Sequence, residues 1–153
     1  MEGQAISTSD YDILYYASMY FRRDPSSKYS DSISLNFSPN VPTDSLLYMP
    51  ATLVPQAIDA KKIVMMYMKD LPLTDNPSKL FDQLLAFLKN PYLADEIYCF
   101  LIIQTTANMQ QTSEIRGWEL FNVALAENKP SRNLFSYVLY YIIRSLFNSD
   151  INV

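Results

Sequence analysis

Glycine is nearly absent from this chain, which holds 2 glycines and 9 prolines among its 153 residues. Tight β-hairpin turns commonly need glycine, because their central residues take positive φ angles. Proline, in contrast, interrupts helices and fits well in their first turn. No segment shows the apolar–polar alternation of a half-buried strand. The sequence therefore predicts an all-α fold in which Pro and Asn breaks separate the helices.

Apolar spacing and the positions of Asp, Asn and Pro predict about six or seven helices in a compact bundle or superhelix. A chain of this length suggests one domain, which we place at residues 10–148, between a flexible N-terminus (1–9) and a C-terminal tail (149–153). Residues 24–44 are the longest irregular segment, so they are either functional or mobile. The predicted helices span residues 10–23, 45–48, 55–70, 76–90, 92–108, 114–127 and 130–148.

Two of these helices have unusual apolar surfaces. Residues 97–103 form an uninterrupted apolar run, which indicates a helix buried on most sides. Gln104, Thr105 and Thr106 follow the run and either hydrogen-bond to the backbone at the helix end or are exposed. The last helix is expected to pack against two neighbours, since it carries two apolar seams, one with Leu134, Val138, Tyr141 and Ile142 and the other with Leu139, Ile143, Leu146 and Phe147.

The composition argues against several classes of function. The formal net charge is −4, whereas nucleic-acid binding rests on Lys and Arg displacing counterions from phosphates. The chain has no His and one cysteine, Cys99, so the usual zinc ligands and a Ser-His-Asp or Cys-His arrangement are missing. Two glycines cannot form a glycine-rich phosphate loop. We therefore expect a protein that is not an enzyme and that binds no cofactor, metal or nucleic acid.

The sequence also favours a cytoplasmic location. Its N-terminus lacks the basic start and apolar core of a secretory signal. No apolar stretch approaches the roughly 20 residues that span a bilayer, so no transmembrane segment is expected. A single cysteine forms no internal disulfide and gives no sign of an oxidising compartment.

Charged residues near the buried helix allow a catalytic and a structural interpretation. Asp95 and Glu96 could act as an acid–base pair, but carboxylates in the first turn of a helix also offset its free N–H groups. We favour the structural role and expect one of them to pair with Arg116. Gly117 would let two helices approach closely. Trp118, the only Trp, either anchors a partner or, as we favour, fills the core between the last helices.

Lys61, Lys62 and Lys69 form the best candidate for a basic, partner-binding patch. Lys61 and Lys69 lie about two turns apart on one side of the predicted helix 55–70. The alternative is an ordinary solvated helix face, and nearby Asp residues partly cancel the positive charge. The patch is thus a candidate binding site.

Several short motifs follow one another in a characteristic order. They are DEIYC at 95–99, QTT at 104–106, RGWEL at 116–120 and Pro-Ser at 130–131 before an aromatic helix. In order and spacing they resemble the myosin tail homology 4 (MyTH4) domain, a helical module of unconventional myosin tails, plant kinesins and some Rho GTPase-activating proteins. The resemblance extends over about residues 10–148.

This resemblance implies a non-catalytic module that links a motor or signalling protein to the cytoskeleton. The partners that it implies are tubulin in microtubules or a cargo peptide, and the implied location is cytoplasmic and cytoskeleton-associated. Family members often precede a FERM domain. The first alternative is therefore a structural support that packs against a FERM-like or GTPase-activating domain, which a large exposed apolar patch would favour. A second alternative is a peptide- or membrane-binding helical superhelix.

Two positions depart from the family pattern. Phe100 stands where members usually have Gln, and Ile103 stands where they commonly have Lys. Both changes make the buried helix more apolar, which indicates either an altered neighbour or an exposed docking surface.

Overall fold

The computed structural model describes residues 11–22 and 35–151. This part of the chain contains six α-helices, and its only β-pairing is an isolated bridge between Phe21 and Leu47. The predicted all-α fold with six or seven helices is confirmed. The helices are α1 (Ile13–Tyr20), α2 (Val54–Tyr67), α3 (Pro77–Leu88), α4 (Pro91–Thr105), α5 (Gln111–Glu127) and α6 (Arg132–Ile151), with a 3₁₀ turn at Ala51–Leu53 before α2.

Asn-Pro pairs begin two of the helices, α3 and α4. The Asn76 side chain accepts a hydrogen bond from the N–H of Lys79 at 2.8 Å, and the Asn90 side chain accepts one from Tyr92 at 2.9 Å. A proline follows each Asn in the first turn, where its missing N–H leaves no helical hydrogen bond unmade. Local sequence therefore determines where α3 and α4 start.

Other boundaries differ from the predictions. The cap of α1 is Asp12, which accepts a hydrogen bond from Leu14 N at 2.9 Å, whereas residue 10, where the sequence predicts the start of this helix, lies outside the described residues. The predicted start of the fifth long helix at residue 114 is too late, because α5 begins at Gln111 and Ser113 is buried inside it. The predicted flexible segment 1–9 and residues 24–34 of the predicted loop also lie outside the described residues.

The predicted helix at 45–48 is also wrong. Leu47 pairs with Phe21 in the isolated bridge, and Arg22 N donates to Leu46 O at 2.7 Å. We call residues 35–50 the extended segment. It lies across α4 and joins it to the end of α1.

Helix α4 is the centre of the domain. It packs against α2, α3, α5 and α6, and 12 of its 15 residues are buried. The prediction of a helix buried on most sides is confirmed. Phe100 and Ile103 are each only 7% exposed, so the departures from the family pattern face neighbouring protein atoms and do not form an exposed docking surface.

Candidate functional site

Asp95 and Glu96, the two carboxylates of the DEIYC motif, bond to different parts of the chain. Glu96 is fully buried and its Oε2 lies 2.9 Å from Nζ of Lys61 on α2. Its two oxygens also accept hydrogen bonds from the N–H groups of Leu46 at 2.6 Å and Leu47 at 3.0 Å. Lys61 in turn donates to the backbone carbonyl of Asp44. Glu96 and Lys61 thus fasten the extended segment to α2 and α4.

This arrangement corrects the predicted basic patch. Lys61 is 2% exposed and is therefore unavailable to a partner in this structure. Lys69 is exposed just beyond α2 with a positive φ of 67°, and Lys62 is half-buried. The sequence held a signal that we missed: Lys61 lies one turn from both Ala57 and Val64 on the buried face of α2.

The predicted pairing of Arg116 with Asp95 or Glu96 is wrong. Asp95 Oδ1 instead accepts a hydrogen bond from Ser131 N at 2.9 Å, immediately before α6 begins. Burial raises the pKa of the Asp95 carboxyl, while its hydrogen bonds from Ser131 act in the opposite direction. Arg116 is half-buried. Burial raises the pKa of the Tyr67 hydroxyl, and the positive charge of Arg116 acts in the opposite direction.

Gln104 holds the other end of the extended segment. Its Nε2 donates to Ser38 O at 3.1 Å, and its Oε1 accepts from Ser38 N at 3.2 Å. Phe37 N donates to Thr106 O at 2.8 Å beside this contact. Because Gln104 is fully buried, these bonds are shielded from water. The alternative of bonding to the backbone at the end of α4 is confirmed for Thr105 and Thr106, which donate to Leu101 O and Ile102 O, whereas Gln104 bonds to a remote segment.

An aromatic cluster joins α5 to α6. The Trp118 ring stacks on Phe121 and Tyr141, with centroids 5.0 and 5.7 Å away, and its Nε1 donates to Glu114 at 3.2 Å. The Tyr141 hydroxyl lies 2.7 Å from the Thr105 hydroxyl, at the end of α4. Trp118 is half-buried, so the favoured prediction that it fills space between the last helices is confirmed.

Gly117 lies where three helices meet. A Cβ atom at this position would lie 2.7 Å from Thr105 Cγ2 and 3.0 Å from Met68 Cε. Real Cβ atoms do not approach other atoms so closely without a shift of the neighbour. The prediction that Gly117 allows close helix approach is confirmed.

The described residues offer little for catalysis or metal binding. Cys99 is fully buried and burial raises its pKa well above the ordinary value, which disfavours a reactive thiolate. In the described part of the chain, no group of three His, Cys, Asp or Glu residues could hold a metal ion. None of the helices described is both long and apolar enough to cross a membrane.

A different surface stands out on α6. The first predicted seam is covered, with Leu134 and Val138 at 0% and 2% exposure. The prediction that α6 packs against two neighbours is confirmed, since it contacts α1 and α4, but the second seam faces solvent. We define the α6 apolar face as the residues of this stripe that are 40–63% exposed, namely Phe135, Leu139, Ile143, Leu146 and Phe147. A cavity of about 240 Å³, lined in part by Trp118 and Leu146, borders this face.

Comparison with known proteins shows a family resemblance. The model of the MyTH4 domain family matches residues 82–152. The chain resembles the MyTH4 family over these residues. Over 148 residues, this chain is 28% identical to the myosin-I heavy chain of Dictyostelium discoideum. The match covers 93% of this chain and 6% of that protein. Over 96 residues it is 35% identical to myosin-VIIa of Drosophila melanogaster, which covers 57% of this chain and 4% of that protein.

Solved structures share the fold of this chain. The MyTH4-FERM MF1 domain of Dictyostelium discoideum myosin VII matches with a TM-score of 0.76 and 26% identity, over 95% of this chain and 31% of that one. The C-terminal MyTH4-FERM domain of human myosin 7b, solved with the harmonin-a PDZ3 domain, has a TM-score of 0.73 at 23% identity over 93% of this chain. This chain spans 30% of that second structure.

Proposed function

We propose that the chain is a non-catalytic protein-interaction module of a cytoplasmic motor or signalling protein that associates with the cytoskeleton. In this proposal the α6 apolar face packs against a neighbouring FERM-like domain. The observation that carries the proposal is the exposure of this face, which leaves five large apolar side chains of one helix in contact with water.

Such a face is unusual for a domain that acts alone. Burying one large apolar side chain contributes about 1.5–3 kcal/mol relative to leaving it exposed, so a stripe of them strongly favours association. Contiguous apolar patches on folded proteins commonly mark interaction surfaces. The half-buried Trp118 and the adjoining cavity would give a partner side chain a place to insert.

The solved relatives support a FERM-like neighbour. The similar myosin VII structures are MyTH4-FERM units, and this chain covers 31% of the MF1 chain. The remainder of such a unit is therefore the natural candidate for covering the α6 apolar face.

The test measures binding of the parent protein's FERM-like region to the chain by titration calorimetry. A Leu139→Gln/Ile143→Gln variant should bind at least about tenfold more weakly, because two buried apolar contacts are lost. The matched control is Leu14→Gln/Met19→Gln, which alters apolar residues of α1 that are 52% and 46% exposed and should leave binding unchanged. A parent protein without such a region, or equal binding by both variants, would overturn the proposal.

Direct microtubule binding is a second candidate, and it now rests on Lys62 and Lys69. Among the described residues neither forms a salt bridge, so both are available to the acidic surface of tubulin. Pelleting with microtubules across a salt series, compared with Lys62→Glu/Lys69→Glu, tests this role. A Lys61→Glu change is unsuitable, because it would disrupt the buried pair and the fold. Pelleting that is absent at low salt, or unaffected by the double substitution, would reject this candidate.

A further inference from the structure

A groove lined by tyrosines lies between the C-terminal part of α1, the extended segment and the starts of α4 and α6. Its volume is about 360 Å³, and Tyr16, Tyr20, Tyr48, Tyr92 and Leu47 contribute to its walls. The rings of Tyr20, Tyr48 and Tyr92 are 39%, 67% and 52% exposed. Tyr is enriched at interaction hot spots, because its ring offers a large apolar surface and its hydroxyl a hydrogen bond. The groove therefore has the side chains of a binding site.

Among the residues that the structure describes, Asp95 is the only charged one that lines this groove. Its carboxylate is half-buried, accepts a hydrogen bond from Ser131 N and forms no ion pair with any of the described residues. Desolvation raises its pKa, while the hydrogen bonds from Ser131 act in the opposite direction. Each carboxylate oxygen has two lone pairs, so Asp95 can accept a further donor. The groove thus offers a carboxylate that lacks a cation beside several aromatic faces.

We propose that the tyrosine groove binds an arginine side chain presented by a partner protein. A planar guanidinium stacks on aromatic rings and donates in a fork to a carboxylate, so it matches both features of the groove. An aliphatic side chain in the groove would bury the Asp95 carboxylate further and would leave it without a positively charged partner. The net charge of −4 also favours approach of a basic segment.

This inference rests on the proposed interaction function but on a separate surface. None of the residues of the α6 apolar face lines the groove. Failure of the FERM-like binding test would therefore leave arginine binding measurable, and failure of arginine binding would leave the α6 proposal intact.

The test titrates the full, ¹⁵N-labelled chain with the peptide acetyl-Gly-Arg-Gly-amide and follows amide chemical shifts. The matched control peptide has citrulline in place of arginine, which keeps the planar shape and removes the charge. The arginine peptide should shift the amides of Tyr20, Tyr48, Tyr92 and Ser131, and it should bind at least about tenfold more tightly than the citrulline peptide. Absence of these shifts, shifts confined to other surfaces, or equal affinity for both peptides would overturn the proposal.

Variants test the two features of the groove separately. Asp95→Asn keeps an oxygen for the Ser131 N–H and should weaken arginine binding about tenfold. Tyr92→Ala removes an exposed ring without touching the core and should also weaken binding. Tyr15→Ala, which removes a ring that is 54% exposed on α1 outside the groove, should have no effect. If Asp95→Asn does not fold, Tyr92→Ala decides, and unchanged affinity in that variant contradicts the proposal.

Discussion

Lys61 and Glu96 form an ion pair inside the domain, with Nζ 2.9 Å from Oε2 and side-chain exposures of 2% and 0%. The pair joins α2 to α4, and both residues also bond to backbone groups of the extended segment. Two charges were thus taken out of water together, which is tolerable only when each has a close partner. Glu96 therefore has a structural role, and any partner binds to other parts of the surface.

Substitution of Lys61 tests how strongly this pair supports the fold. Lys61→Met leaves Glu96 buried without its cation, so we expect the free energy of unfolding to fall by about 3–5 kcal/mol in urea titrations. The control is Lys79→Met, which removes a surface salt bridge to Asp75 from a lysine that is 62% exposed. That change should alter stability by only about 0–1 kcal/mol. Similar small effects of both substitutions would show that the buried pair contributes little.

Gly117→Ala tests the close approach of α5 to its neighbours. Alanine improves helix propensity by about 1 kcal/mol, but its Cβ would meet the methyl group of Thr105 at 2.7 Å. Thr105 cannot turn away freely, because its hydroxyl donates to Leu101 O at 2.7 Å. We expect net destabilisation of about 1–3 kcal/mol by thermal unfolding. Asn122→Ala, at an exposed position of α5, should instead be neutral or slightly stabilising, and the same outcome for Gly117→Ala would contradict the packing.

Gln104→Ala should release one end of the extended segment. It removes both hydrogen bonds to the Ser38 backbone, each worth about 0.5–1.5 kcal/mol. Hydrogen–deuterium exchange of the Ser38 amide should therefore accelerate more than exchange in the core of α4. Gln83→Ala on the exposed side of α3 serves as the control and should leave Ser38 unchanged. Unaltered exchange at Ser38 in Gln104→Ala would exclude this anchoring role.

The raised pKa of Asp95 predicts a pH dependence of stability. The native state holds this proton to a higher pH than the unfolded state, whose carboxyl has the ordinary pKa of 3.8. Wild-type stability therefore falls as the pH rises through the window between these two pKa values. Asp95→Asn does not titrate, so its stability relative to the wild type should rise across this window and then level off. Urea titrations at a series of pH values measure the difference, and a constant or falling difference would refute the assignment.

Local residue patterns predicted much of the helical framework. Asn76 and Asn90 begin helices because a side-chain cap and the following proline act within a single turn. The burial of α4 followed from its apolar run, and the close approach at Gly117 followed from the residue type. These features depend on neighbours in the sequence or on one side chain, so no tertiary information was needed.

Contacts between remote segments could not be predicted in the same way. Residues 45–48 were expected to be helical, but the N–H groups of Leu46 and Leu47 bond to Glu96, about 50 residues further along the chain. Lys61 was assigned to the basic, partner-binding patch because nothing in its local sequence indicates that it pairs with Glu96. The second apolar seam of α6 was recognised correctly, yet the pattern could not reveal that the described chain leaves it uncovered.

The central claim is that the α6 apolar face contacts a FERM-like domain, and site-specific cross-linking in cells tests this contact directly. A photo-reactive amino acid replaces Leu139, which is 47% exposed on this face, and in a control protein it replaces Gln83, which is exposed on α3. Mass spectrometry then identifies the attached peptides. We predict that position 139 attaches mainly to a FERM-like domain, in the same polypeptide or another, and that position 83 does not. Attachment at position 139 no more frequent than at position 83, or to peptides from outside any FERM-like domain, would contradict the account.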